Sequence, residues 1–238
     1  MGVVTRCCIL TVLLAAAMTA GAQTSQMYYK DGSDKFLAND YRGAIEAFTK
    51  AIGMEPGYTD AWYFRGMTKF IVKDTTAADD FSKVIELDPH KVKAWAYRGM
   101  ARYRRREYNQ AIADFSRAIA LKADYEEAWF YRGNCQVELK NYYAAVSDLD
   151  KAISLKTDYT AAVYTRGLTR FMMQKYVEAM PDLDKTIALH PGYSPKAWYF
   201  RGMCRIRLNQ KELACPDLKK AVELGVPDAA EMRKKYCP

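Results

Sequence analysis

The sequence predicts an all-α solenoid, in which six helix hairpins stack one on the next and a short C-terminal helix closes the stack. Three observations predict it. A tryptophan-centred segment recurs about every 34 residues. A glycine and an alanine recur in register with it, twelve residues apart in five of the six copies and eleven in the other. Each period reads as two short helices joined by a turn, a unit that cannot bury its apolar face alone but can do so in a stack.

The chain has 238 residues, 50% hydrophobic and 27% charged, so it can bury a core and stay in solution. Neither a disordered nor a collagenous composition is present. Residues 1–22 differ from the rest. Arg6 is their one charge, Cys7 to Ala20 is almost wholly apolar, and Ala20-Gly21-Ala22 gives a small-x-small pattern before Gln23. This is the layout of a secretory signal peptide. The apolar run is short for a membrane span, which needs about 20 residues; an uncleaved anchor is the rival reading. Cys7 and Cys8 precede the apolar run, which argues against a lipidated cysteine. The expected location is therefore outside the cytoplasm: the periplasm in a Gram-negative cell, the exterior otherwise. No second spanning segment follows, so the mature chain is expected to have no transmembrane span. Its net charge of +8 falls by one when Arg6 is removed, and such a basic excess favours acidic partners or anionic surfaces over nucleic acid in an exported protein. Solubility alone is the simpler reading of the same charge.

The repeats are aligned on Gly32, Gly66, Gly99, Gly133, Gly167 and Gly202. They run 25–58, 59–91, 92–125, 126–159, 160–194 and 195–228, within a repeat region of 23–228. Counting within each repeat, with a one-residue gap allowed in the turn of the 33-residue second repeat, the glycines are position 8. Position 20 is Ala44, Ala77, Ala111, Ala145, Ala179 and Ala214. Position 24 is Phe48, Phe81, Phe115, Leu149, Leu183 and Leu218. All four tryptophans, Trp62, Trp95, Trp129 and Trp198, occupy position 4. Gly inside a helix costs about 1 kcal/mol relative to Ala, so six in register imply that position 8 lets the two helices of a hairpin approach closely. Residues 229–238 form the capping helix, with Gly225 and Pro227 breaking the preceding one.

This pattern resembles the tetratricopeptide repeat family over nearly the whole mature chain. The resemblance implies a right-handed superhelical solenoid and a protein-binding function, with the concave groove lined by the first helix of each repeat. Carried onto this sequence, the groove residues are Tyr29, Tyr63, Phe130, Tyr164 and Tyr199 at position 5, and Met67, Met100, Asn134, Leu168 and Met203 at position 9. Packing between neighbouring helices is the alternative role for each of them. The family's carboxylate clamp is absent, because aromatic residues fill its positions and Asn134 stands alone.

Two departures from the family pattern stand out. Position 7 is Arg65, Arg98, Arg132, Arg166 and Arg201, and position 23 is Asp80, Asp114, Asp148, Asp182 and Asp217; the first repeat, with Asp31 and Ala47, lacks both. Joint presence and joint absence predict structural Arg–Asp ion pairs, either within a repeat or between neighbours. Position 11 is basic at Lys35, Lys69, Arg102, Arg170 and Arg205.

No catalytic constellation, phosphate loop or metal-ligand spacing is visible, so no enzyme activity, cofactor or metal is expected. The run Arg102 to Arg106 reads as a basic helix end, where cations oppose the helix dipole, rather than a nucleic-acid site. Cys135 and Cys204, both at position 10, read as small buried side chains. Cys215 lies 10 residues before Gly225 and Cys237 11 residues after Val226. An antiparallel hairpin with arms of equal length brings them level, which predicts a Cys215–Cys237 disulfide with two free thiols as the alternative. The function expected is a non-catalytic interaction scaffold that binds a protein or peptide segment in the groove. A module for an envelope glycan or lipid, or an accessory subunit of an envelope enzyme complex, is the competing expectation.

Overall fold

The structure is a computed structural model, and it describes residues 23–237; the signal-peptide expectation lies outside the described residues. Every regular element described is a helix, thirteen in all. Residues 23–37 form α1. The others are α2 (Tyr41–Met54), α3 (Thr59–Ile71), α4 (Ala77–Leu87), α5 (Val92–Arg104), α6 (Tyr108–Leu121), α7 (Glu126–Glu138), α8 (Tyr142–Leu155), α9 (Thr160–Met172), α10 (Tyr176–Leu189), α11 (Pro195–Arg207), α12 (Lys211–Glu223) and α13 (Ala229–Tyr236). The chain divides into two compact units, the first ending at Arg117 and the second beginning at Ala118.

In the first unit α1 pairs with α2 and α3 with α4, and α5 leads into α6. Its core is built on Phe48, Phe81 and Phe115, each fully buried. The position-8 glycines exist because of these rings. A Cβ on Gly32 would come within 2.7 Å of the Phe48 ring and one on Gly99 within 2.8 Å of Phe115. Those contacts are too close for any real side chain, so the glycine is the hollow that admits the ring.

The second unit repeats the device with leucine. α7 pairs with α8, α9 with α10 and α11 with α12, and Leu149, Leu183 and Leu218 are fully buried. A Cβ on Gly133 would meet Leu149 at 3.1 Å and the carbonyl oxygen of Ala145 at 3.4 Å. At Gly167 the nearest atom is instead the Asp182 Cβ, at 2.9 Å, with Leu183 at 3.4 Å, so the constraint at position 8 comes from the side chains at positions 23 and 24 together. α13 closes this unit. Val226 and Ala229 are buried against Ala221, with Trp198 and Tyr199 packed alongside.

The first helix of each repeat ends in one way. Position 15 has positive φ at Asn39, Lys73, Arg106, Lys140, Gln174 and Asn209, all near 61°. In the third repeat Arg106 N–H donates to the Tyr103 carbonyl and Glu107 N–H to that of Arg102. This is a Schellman ending, and it satisfies carbonyls that the helix leaves over. A left-handed conformation usually calls for glycine; here six other residues adopt it. α12 ends in the same way with Gly225, at φ 77°, before the chain turns into α13.

Candidate functional site

Two arrangements of side chains repeat along the molecule, one buried and ionic, the other a partly exposed aromatic face.

The ionic arrangement joins the two helices of a repeat. Arg65 Nε and Nη2 donate to the two carboxylate oxygens of Asp80 at 2.9 and 2.7 Å. The same fork joins Arg98 to Asp114, Arg132 to Asp148, Arg166 to Asp182 and Arg201 to Asp217. Each pair lies within one repeat. The five aspartates are at most 4% exposed, so each carboxylate depends on these donors for the hydrogen bonds that water would otherwise supply. The third guanidinium nitrogen reaches the helix before: Arg65 Nη1 donates to Thr49, Arg98 Nη1 to Ser82, Arg166 Nη1 to Asp150 and Arg201 Nη1 to Asp184. One residue thus ties three helices together.

Position 4 completes the arrangement. The guanidinium carbons of Arg65, Arg98, Arg132 and Arg201 lie 4.6, 4.8, 4.7 and 4.8 Å from the ring centroids of Trp62, Trp95, Trp129 and Trp198, within cation–π range. Each indole N–H donates back to the preceding turn, at the carbonyls of Pro56, Pro89, Ala123 and Pro191.

The basic residues at position 11 belong to the same arrangement, which the sequence pattern did not reveal. Lys69 lies 3.1 Å from Asp80, Arg102 2.7 Å from Asp114, Arg170 2.8 Å from Asp182 and Arg205 2.7 Å from Asp217. Positions 11 and 23 carry opposite charge in four repeats, and that correlation was the available signal. In the first repeat Lys35 instead pairs with exposed Asp31, at 2.7 Å. The fourth repeat breaks the pattern. Gln136 stands at position 11, and its Oε1 is buried with no hydrogen-bond partner. Gln136→Arg is therefore expected to stabilise the protein by about 1 kcal/mol, by adding a charge-assisted bond to Asp148 and removing an unsatisfied acceptor. Urea denaturation followed by a probe in the fourth repeat checks it; an unchanged or lower midpoint counts against it.

The second arrangement is the face of the first helices. Among the groove residues expected there, Tyr63, Met100 and Met203 are buried. Tyr63 packs edge-on to Phe64, Phe81 and Tyr97, at centroid distances of 5.5, 6.1 and 6.0 Å, and the Lys91 ammonium lies 4.9 Å from its ring centroid. Burial pushes its phenol pKa up. Close packing of successive first helices turns this side chain inward between them. Tyr29 and Met67 in the first unit stay partly exposed, as do Phe130, Asn134, Tyr164, Leu168 and Tyr199 in the second. Within each helix, positions 5 and 9 are four residues apart and share a face. Rings of the inter-repeat turns flank them. Phe130 lies 4.9 Å from Tyr159 and Tyr164 6.2 Å from Tyr193, between centroids.

The cysteines fall into two kinds. Cys215 and Cys237 are bonded, with Cα atoms 5.6 Å apart, joining α12 to the end of α13. Cys135 and Cys204 are free and buried, and burial pushes both thiols up to about 12, so neither is a thiolate at neutral pH. Among the described residues, no group of three His, Cys, Asp or Glu side chains is placed to hold a metal ion. No described helix is long and apolar enough to cross a membrane.

Comparison with known proteins addresses the fold. A search of curated proteins returns no match. Among solved structures, MamA is similar at 27% identity, over 72% of this chain and 97% of that one, with a TM-score of 0.63. YrrB, described as a TPR protein with an unusual peptide-binding site, is 23% identical over 81% of this chain and all of that one, with a TM-score of 0.68. PilF of Pseudomonas aeruginosa is 14% identical over 91% of this chain and 99% of that one, with a TM-score of 0.75. The tetratricopeptide repeat description matches residues 29–68, 75–126 and 98–160, more than half the chain, and a second description of the same repeat matches 195–224. The chain belongs to the tetratricopeptide repeat family.

Proposed function

We propose that this protein is a non-catalytic interaction scaffold, exported from the cytoplasm, whose first helices receive a segment of a partner protein. The observation that carries the reading is the partly exposed row in the second unit: Phe130 and Asn134 on α7, Tyr164 and Leu168 on α9, and Tyr199 on α11. Aromatic rings offer large contact area at little conformational cost, and Asn134 adds donors and an acceptor, a composition suited to a peptide. Membership of the repeat family and the likeness to YrrB, with its peptide-binding site, support the same reading. The apolar leader at 1–22 supports export.

Tyr63 is unsuitable as a probe of binding, since removing a buried ring opens a cavity. Tyr164→Ala combined with Tyr199→Ala is expected to weaken partner binding about tenfold or more, while helicity stays unchanged. Photo-crosslinkers at Tyr164 and, as a control, at exposed Lys185 on α10 identify what binds. A protein adduct from position 164 alone supports the proposal. Adducts only from position 185, or binding unaffected by the double substitution, would overturn it. An adduct with an envelope glycan or lipid would support the competing class of ligand.

A further inference from the structure

The turns that follow α3 and α5, in the second and third repeats, border a cleft that belongs neither to the ionic arrangement nor to the aromatic face. It has a volume of about 440 Å³ and is lined by Phe70, Lys73, Asp74, Ala101, Arg104 and Arg105, together with Thr75. All lie in the first unit. We propose that this cleft is a second binding site, specific for an acidic peptide segment that carries an apolar anchor.

The floor is apolar, formed by Phe70 and Ala101, and the rim is basic. Arg104 is held in place: its guanidinium carbon lies 3.5 Å from the Phe70 ring centroid, and Nη1 donates to the Phe70 carbonyl at 2.6 Å. That bond reaches the C-terminal turn of α3 rather than that of the arginine's own helix, and it occupies Nη1 alone. A guanidinium already fixed in orientation loses less freedom when it binds a carboxylate. Lys73 has no acidic partner among the described residues. Arg105 pairs with Glu107 at 2.9 Å, a contact that is exposed on both sides or nearly so and therefore cheaply exchanged.

The one acid in the lining is already committed. Asp74 accepts from the backbone N–H and hydroxyl of Thr76 at 2.8 and 2.9 Å. It is thus held in the turn through Oδ1 alone, and its charge leaves the lining with three cations, Lys73, Arg104 and Arg105, against one anion. Beside the cleft, Ile71 and Val72 are 42% and 45% exposed, which extends the apolar surface available to an anchor. The charge of the lining selects an anion, and the concave apolar floor selects a peptide side chain over a flat lipid surface. The volume accommodates one large side chain with carboxylates on either side.

The test uses a fluorescein-labelled hexapeptide, Asp-Glu-Phe-Asp-Glu-Leu, with its Lys/Arg counterpart as a control, and fluorescence anisotropy at two salt concentrations. The acidic peptide is expected to bind and the basic one not to bind. Lys73→Glu with Arg105→Glu is expected to weaken binding by about tenfold or more with helicity retained; the melting temperature falls slightly, because both charges sit at helix C-termini and Arg105 also loses its pairing with Glu107. Lys185→Glu with Lys219→Glu changes the net charge equally in the second unit and is expected to leave most of the affinity. Equal losses in the two double variants would reduce the effect to net charge and overturn the site. Absence of acidic-peptide binding would overturn it too, as would binding to phosphatidylglycerol vesicles but not to the peptide. Tyr164→Ala/Tyr199→Ala is expected to leave peptide affinity intact, so this cleft and the aromatic face can fail separately.

Discussion

Asp114→Leu is expected to destabilise the first unit by about 3–5 kcal/mol, because it leaves two cations facing a buried apolar side chain. Arg98 and Arg102 both donate to this carboxylate, and their side chains are only 14% and 23% exposed. Neither can regain full hydration without opening the hairpin. The fourth repeat isolates the pairwise part of this effect, because there Asp148 has Arg132 but only Gln136 at position 11. In a cycle of Arg132→Leu and Asp148→Leu, each single change is expected to cost more than its share of the double one. Chemical denaturation combined with hydrogen exchange in the affected repeat measures both effects, since a repeat protein can open locally. Additive losses would show that the fork contributes no coupling. A loss at Asp114 no larger than that at an exposed aspartate such as Asp79 would show that the carboxylate does not anchor the two arginines.

Cys237→Ser is expected to cost roughly 3 kcal/mol, the loop-closure contribution of a bridge that spans 22 residues. Little else holds the end of α13. The helix has eight residues, and Ala229 at its start is its one fully buried side chain. Without the bridge its last turns are expected to fray. That would expose Val226 and the flank of α12, and proteolysis should begin within 211–237. Unchanged stability and protease resistance in Cys237→Ser would count against a stabilising bridge. Non-reducing peptide mapping of protein isolated from its native compartment tests the pairing itself, and free thiols at both positions would refute it. The same map reads the N-terminus. A peptide that retains Met1 would count against cleavage of the leader.

Much of this fold is legible in the sequence because the repeat is local. Each hairpin needs glycine at position 8, a bulky apolar residue, Phe or Leu, at position 24 and a break between its helices, and six copies in register raise that need above background. The Arg–Asp correlation is legible for a related reason: a buried charge without its partner is costly, so the two residues are gained or lost together. What the pattern does not carry is direction within the repeat. It left open whether the aspartate belongs to the same repeat or the next one, and it did not connect the basic residues at position 11 to the same carboxylate.

Only the packed structure decided those points. A guanidinium has five donors in a fixed plane, and which helix each donor reaches depends on the angle between helices, a quantity that residue spacing does not encode. The same holds for the aromatic face. Tyr63 and Tyr164 occupy one position in the repeat and carry one side chain, yet the first is buried and the second partly exposed. Their neighbours on adjacent helices make the difference. The tyrosine itself was legible from the sequence; its exposure was set by the side chains packed around it.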